Sequence, residues 1–108
     1  MINVHDVGGV AVLELDQDAV NALDLALVES ITSTLAGLNE PVVLTGRGRA
    51  FSAGVDLRRI VDDGDQYIER LLHALGPAFH TVFSYPHPTV AAVNGHAIAC
   101  GFVLALAC

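Results

Sequence analysis

Two stretches hold residue types that could do chemistry together. The first is Ala50-Phe51-Ser52-Ala53-Gly54-Val55-Asp56-Leu57, which follows the β-rich run Val42-Val43-Leu44-Thr45-Gly46. The second, about forty residues later, is Asn94-Gly95-His96-Ala97-Ile98-Ala99-Cys100-Gly101-Phe102, which follows the apolar run Thr89-Val90-Ala91-Ala92-Val93. Each delivers an apolar strand into a loop of small residues and then into a helix, a geometry that leaves backbone N–H groups free at the helix start. Two such turns facing each other would make an oxyanion hole, a pair of fixed donors aimed at an oxygen on which negative charge develops.

The other chemistry-bearing residues fit no complete motif. Ser52 sits in a stretch like a nucleophile elbow, but the first glycine of G-x-S-x-G is absent and no histidine partner can be assigned. Gly46-Arg47-Gly48 lacks both the third glycine of a dinucleotide fingerprint and the Gly-Lys-Ser/Thr of a P-loop. His73 and His80 lie two helical turns apart, about 10 Å, too far to share a metal directly. His87 stands between prolines, and His96 follows the Asn94-Gly95 turn, where it could line a pocket. Asp62-Asp63-Gly64-Asp65 lacks the spacing of an EF-hand loop and reads as a solvated loop and helix N-cap. No metal site is expected. Cys100 and Cys108 would lie about 12 Å apart along a helix, beyond disulfide reach, and read as reduced packing residues.

The hydrophobic pattern supplies the elements that must position the two turns. Val10–Leu15, after the Gly8-Gly9 turn, reads as a strand. Leu23, Leu27, Ile31, Leu35 and Leu38 mark an amphipathic helix that Asn21 or Asp24 could cap. Pro41–Gly46 is a second strand, so strand, helix, strand is the expected opening pattern. After a loop from Gly46 to Gly54, a brief helix starts near Asp56 and a longer one runs from about Asp65 to Tyr85, with a kink or break expected at Gly76-Pro77. Thr89–Gly95 has almost no polar face and reads as a strand covered on both sides. Ala97–Cys108 is small or apolar all round and reads as a buried helix; it reaches the last residue uncapped, which suggests that the chain is part of a longer fold.

Composition sets outer bounds. A chain of 108 residues suits one domain and could bury roughly two thirds of its unfolded surface. With 53% apolar and 16% charged residues it lies far from the disordered class. All five basic residues are arginine, and a net charge of −7 opposes non-specific attraction to nucleic acid or anionic membrane. The first residues form no secretory signal and no apolar run approaches the roughly 20 residues that span a bilayer, so the cytoplasm is the expected location.

Taken together, the Ala50-Phe51-Ser52-Ala53-Gly54-Val55-Asp56-Leu57 loop, the Ala91-Ala92-Val93-Asn94-Gly95-His96-Ala97 stretch with the Leu104-Ala105-Leu106 helix, and Asn21-Ala22-Leu23 resemble the paired signatures of the crotonase superfamily, the enoyl-CoA hydratase/isomerase family. The resemblance covers essentially the whole chain. It implies an α/β fold, the first half of a crotonase-like spiral of repeated strand-strand-helix units, with residues 1–108 as a partial domain. It implies an acyl-CoA thioester substrate from fatty-acid metabolism and no separate cofactor. In such a thioester, removing an α-proton or adding water across the α,β double bond places negative charge on the carbonyl oxygen.

By position in the family pattern, the oxyanion donors are the backbone N–H groups of Val55 and Cys100. The substrate-binding set comprises Arg49, Ala53, Val55, Asp56, Arg58, Cys100 and Gly101, with Arg47 and Arg59 as secondary candidates for CoA phosphates. The family's first catalytic glutamate falls at Val103, which can do no acid or base work. The second would fall about twenty residues later, beyond Cys108. This pattern resembles the family's isomerases rather than its hydratases. Cys100, where the family usually has glycine, and Phe102, where many members have a small residue, favour the alternative of a non-catalytic acyl-CoA binder or inactive fragment. Full-length relatives form trimers or hexamers through a C-terminal region not matched here, so oligomerisation is not carried over.

Overall fold

The structure, a computed structural model, describes residues 1–108. Six strands and three helices follow in the order β1 (Ile2–Val7), β2 (Val10–Leu15), α1 (Leu25–Ala36), β3 (Val42–Gly46), β4 (Ala50–Ser52), α2 (Leu57–Phe83), β5 (Thr89–Ala92), β6 (His96–Ala97) and α3 (Cys100–Ala107). The main sheet runs β1-β2-β3-β5, and β4 pairs with β6 in a separate two-stranded sheet. β1 is antiparallel to β2, whereas β2–β3, β3–β5 and β4–β6 are parallel. Parallel neighbours need long crossovers. α1 supplies the one from β2 to β3, β4 with α2 the one from β3 to β5, and α2 with β5 the one from β4 to β6.

Alternation decides which face of the sheet is covered. Ala11, Leu13 and Leu15 of β2 and Val42 and Leu44 of β3 are buried, every second residue, as a strand with one face packed requires. Against them pack Leu27, Val28, Ile31 and Leu35 of α1 and Leu71, Ala78 and Val82 of α2, all in one 17-residue core that also takes in Phe51 and Leu104. The Asp24 side chain caps α1, its carboxylate accepting from Leu27 N–H at 2.8 Å. Of the two candidate caps, Asp24 is the one used.

Several elements differ from the sequence expectation. β1 precedes the strand expected to be first, so the chain opens with a hairpin. Gly8 and Gly9 form its two-residue turn at φ +60° and +85°, the conformation that tight hairpins ask of both central residues, and the Asp6 carboxylate accepts from Gly9 N–H at 3.1 Å. Within α2 the break falls at Gly64 (φ 82°, ψ −176°), between the brief and the longer helix expected from the sequence. No break occurs at Gly76-Pro77. Gly76 has no Cβ to meet the proline ring, which removes part of the strain of a helical residue before proline. The carbonyl that loses its partner belongs to exposed His73, where water can satisfy it.

The third expected strand is shorter, ending at Ala92, and it is not covered on both sides. It lies at the sheet edge, with Val90 56% exposed. Nor is the final helix buried all round. β6 and a turn occupy its expected first residues, α3 starts at Cys100, and only Gly101 and Leu104 of α3 are buried. Phe102, Val103 and Leu106 form an exposed apolar stripe at spacings of one and three residues.

Candidate functional site

The first turn is tied down from two directions. Asn21 is fully buried at φ +51°, one of two non-glycine residues with positive φ. Its Oδ1 accepts from Gln17 N–H at 3.0 Å, and its Nδ2 donates to the carbonyls of Ala50 at 3.1 Å and Arg47 at 3.4 Å. Ser52, also fully buried, donates its hydroxyl to Asn21 O at 2.8 Å and accepts from Gly54 N–H at 3.2 Å. That hydroxyl is structural. Beyond it, Leu23 N–H bonds Gly54 O at 2.8 Å and Asp56 N–H bonds Leu23 O at 3.1 Å, a parallel bridge between Leu23 and Val55. Because strand groups alternate in direction, this bridge leaves the N–H of Val55 itself pointing away from Leu23. It has no hydrogen-bond acceptor within the protein.

The second turn is built against the first. Asn94 accepts from Gly46 N–H at 2.9 Å and donates to Gly48 O at 2.9 Å and Ala50 O at 3.3 Å. Ile98 N–H bonds Ser52 O at 3.0 Å, and Ala99 then turns at φ +50° to start α3 without any side-chain cap. Cys100 N–H therefore stays without an acceptor, as the first amides of an uncapped helix do. Gly101 N–H is occupied by Ile98 O at 2.9 Å. The turns meet at Gly54, where a Cβ would lie 2.8 Å from Ile98 O and 3.2 Å from Cys100 N. A Cβ at Gly101 would lie 2.1 Å from Ser52 O. Two unoccupied backbone donors thus flank a contact that only glycines permit.

Beside the first turn lies a cleft of about 520 Å³, lined by Val20, Ala22, Ala53, Val55, Asp56 and Arg58 among others. Four residues of the expected substrate-binding set, Ala53, Val55, Asp56 and Arg58, share it. Cys100 adjoins it through Gly54, Gly101 is buried against Ser52 behind that turn, and Arg49 stands outside it, exposed, with its carbonyl against Gly95. The two carboxylates lining the cleft are already engaged by backbone: Asp18 accepts from Val20 and Ala22 N–H at 2.9 and 3.3 Å, and Asp56 caps α2 by accepting from Arg58 and Arg59 N–H at 3.1 and 3.3 Å.

The secondary arginines are held by carboxylates. Arg47 pairs with Asp16 at 2.9 Å. Bonds from Asn3 and then Arg47 hold the Asp16 carboxyl below its ordinary value, and Asp16 in turn raises the guanidinium. Arg59 bonds Asp63, lies 3.6 Å from Asp24 and stacks over the Tyr67 ring at 4.8 Å from its centroid. Val103 lies on the exposed stripe of α3, one turn beyond Cys100. No three His, Cys, Asp or Glu side chains converge in a group that could hold a metal. The sequence places Asn21 as a possible cap and in the Asn21-Ala22-Leu23 signature, and Asn94 in the turn of the second signature, but neither signal marks the clamping role that the structure gives them.

A mixed α/β chain in which two strand-turn-helix units meet at glycine and leave one amide free on each is a portion of a crotonase fold. A family model described as enoyl-CoA hydratase/isomerase matches residues 6–108, and the chain belongs to that family. A putative enoyl-CoA hydratase of Thermus thermophilus is 46% identical over 110 residues, a match covering 94% of this chain and 44% of the relative. A probable enoyl-CoA hydratase of Rhodobacter capsulatus is 39% identical over 103 residues, covering 92% of this chain and 40% of that protein. The crystal structure of enoyl-CoA hydratase from Bacillus anthracis superposes with a TM-score of 0.91 at 32% identity, covering 99% of this chain and 45% of its own. The chain spans less than half the length of these relatives. No helix is long and apolar enough to cross a membrane.

Proposed function

We propose that the chain binds acyl-CoA thioesters of fatty-acid metabolism, with the thioester oxygen between the N–H groups of Val55 and Cys100. The observation that carries this reading is that both amides lack an acceptor while their turns touch at Gly54. Donors fixed in this way stabilise an enolate more than the ground-state carbonyl, and one such donor is worth about 3 kcal/mol in a catalytic setting. Ala53, Asp56 and Arg58 surround the thioester and its CoA, Gly101 lets α3 pack onto Ser52 so that Cys100 N–H reaches the thioester, and Arg49 reaches the phosphates from outside the cleft. The chemistry is isomerase-like, because Val103 offers no carboxylate to position water.

A second reading, binding without turnover, is favoured by Cys100, a residue with a side chain at a turn where the family pattern has glycine, and by the large Phe102 two residues along α3. Calorimetric titration of the 108-residue chain with crotonyl-CoA, alongside assays of crotonyl-CoA hydration and 3-enoyl-CoA isomerisation, separates the readings. Isomerisation without hydration supports the first, and binding with neither reaction supports the second. Hydration would overturn the role given to Val103. No binding would overturn both.

A further inference from the structure

The Ala50 carbonyl accepts from both Asn21 and Asn94, and these two side chains come from connections at opposite ends of the chain. Asn21 lies between β2 and α1, and Asn94 lies between β5 and β6. Ala50 begins β4, the strand that leads to Val55, and pairs with His96 on β6, the strand that leads to Cys100. That small sheet has only the pairs Ala50–His96 and Ser52–Ala97, with a register irregularity between them. A two-stranded pairing of this length is marginal by itself. Something else must fix the separation of the two free amides.

We infer that Asn21 and Asn94 are positioning residues that set the Val55 and Cys100 N–H groups relative to each other by clamping one carbonyl; the inference rests on the acyl-CoA reading of that site. Asn94 spans the root of the first loop, accepting from Gly46 N–H and donating to Gly48 and Ala50. It stands immediately before Gly95, whose bare Cα lets the second turn close onto Arg49. Asn21 carries the clamp forward: with its side chain fixed on Ala50, its main-chain carbonyl takes the Ser52 hydroxyl, which accepts from Gly54 N–H, the amide next to Val55. Both asparagines act only through backbone, so they act on the donor geometry and not on a ligand directly. A carbonyl oxygen has two lone pairs, so the shared acceptance is chemically complete.

The test is Asn94→Asp. It keeps the acceptor for Gly46 N–H but turns an oxygen toward the Gly48 and Ala50 carbonyls. Two measurements are made on the full 108-residue chain: the NMR resonances of the Val55 and Cys100 amides without ligand, and the Kd for crotonyl-CoA by calorimetry. Both amide resonances are expected to move and the Kd to rise about tenfold, the effect of losing one good hydrogen bond. The control is Thr45→Val, which removes the 2.8 Å bond from Thr45 to Ala92 O between β3 and β5. It loses stability while both amide resonances and the Kd stay in place. Where Asn94→Asp does not fold, Asn94→Ser and Asn21→Asp make the same test. Unmoved amide resonances, or a Kd no weaker than that of Thr45→Val, would overturn the inference. A parent chain that does not bind crotonyl-CoA would overturn the acyl-CoA reading, and the amide resonances would then decide the positioning role by themselves.

Discussion

Gly95 packs so closely on Arg49 that a Cβ built at position 95 would lie 1.8 Å from the Arg49 carbonyl oxygen and 2.6 Å from its carbon. The contact is backbone on backbone, so no side chain can swing away to relieve it. It joins the second turn to the first, just before both strands run on toward the free amides.

Gly95→Ala is therefore expected to destabilise the chain by about 3 kcal/mol, the upper part of the range for overpacking. Gly37 is the contrast. At the end of α1 its added Cβ would meet only Thr34 O at 3.6 Å and Ser33 O at 3.9 Å, so Gly37→Ala should change stability by no more than about 0.5 kcal/mol. Urea unfolding of both variants checks the pair, and equal midpoints would contradict the close approach at Gly95.

Adjacent residues of α3 should respond in opposite ways. Leu104 is fully buried in the core, whereas Val103 is 42% exposed. Leu104→Ala should cost about 3 kcal/mol through lost burial and the cavity left behind. Val103→Glu, which puts a carboxylate on the exposed face of the helix, should cost no more than about 0.5 kcal/mol. A large loss for Val103→Glu in thermal unfolding would mean that this face of α3 is covered in solution.

Much of this architecture was legible in the sequence. α1 carries helical periodicity, β2 and β3 are β-rich runs beside glycine turns, and all three lie where those signals place them; the two small-residue turns each hold an amide without an acceptor. Other features had weaker signals. β1 has four exposed residues in succession, so its hydrophobic alternation is faint, and only Gly8-Gly9 marked it as half of a hairpin. β4 and β6 span three and two residues, too short for any period to show. The exposure of α3 and β5 was illegible because apolar composition reports what a residue tolerates and not what stands beside it. The asparagine clamps were hidden because, apart from the local bond from Gln17 to Asn21, their side-chain bonds cross between 26 and 48 residues of sequence.

Cys108 gives the chain a pH dependence in the alkaline range. Burial pushes its thiol up from an ordinary 9.0 to about 11. The unfolded chain then releases this proton near pH 9 while the folded chain holds it, so the contribution is whole below pH 9 and is lost as the pH rises to about 11. The urea midpoint should fall across that window, and Cys108→Ala should flatten the fall. Tyr85, whose hydroxyl is raised by desolvation and then by Glu40, acts in the same direction and is left unchanged by the substitution. Identical pH profiles for the two chains would exclude the buried thiol.

The arginines divide into two groups that one experiment can tell apart. Arg58 lines the cleft and Arg49 is exposed outside it, and neither makes an ion pair within the protein. Each should hold CoA phosphate by long-range attraction that salt screens. Arg58→Ala and Arg49→Ala are expected to raise the Kd for crotonyl-CoA about threefold each at low ionic strength. They should also flatten its salt dependence without changing the unfolding midpoint. Arg59 is committed to Asp63, Asp24 and the face of Tyr67, contacts that hold the first turn of α2 against the start of α1. Arg59→Ala should lower the unfolding midpoint and leave the salt dependence of binding as it was. The reverse pattern, in which Arg59→Ala alone removes the salt dependence, would make Arg59 the phosphate contact and its ion pairs a resting arrangement that the substrate displaces.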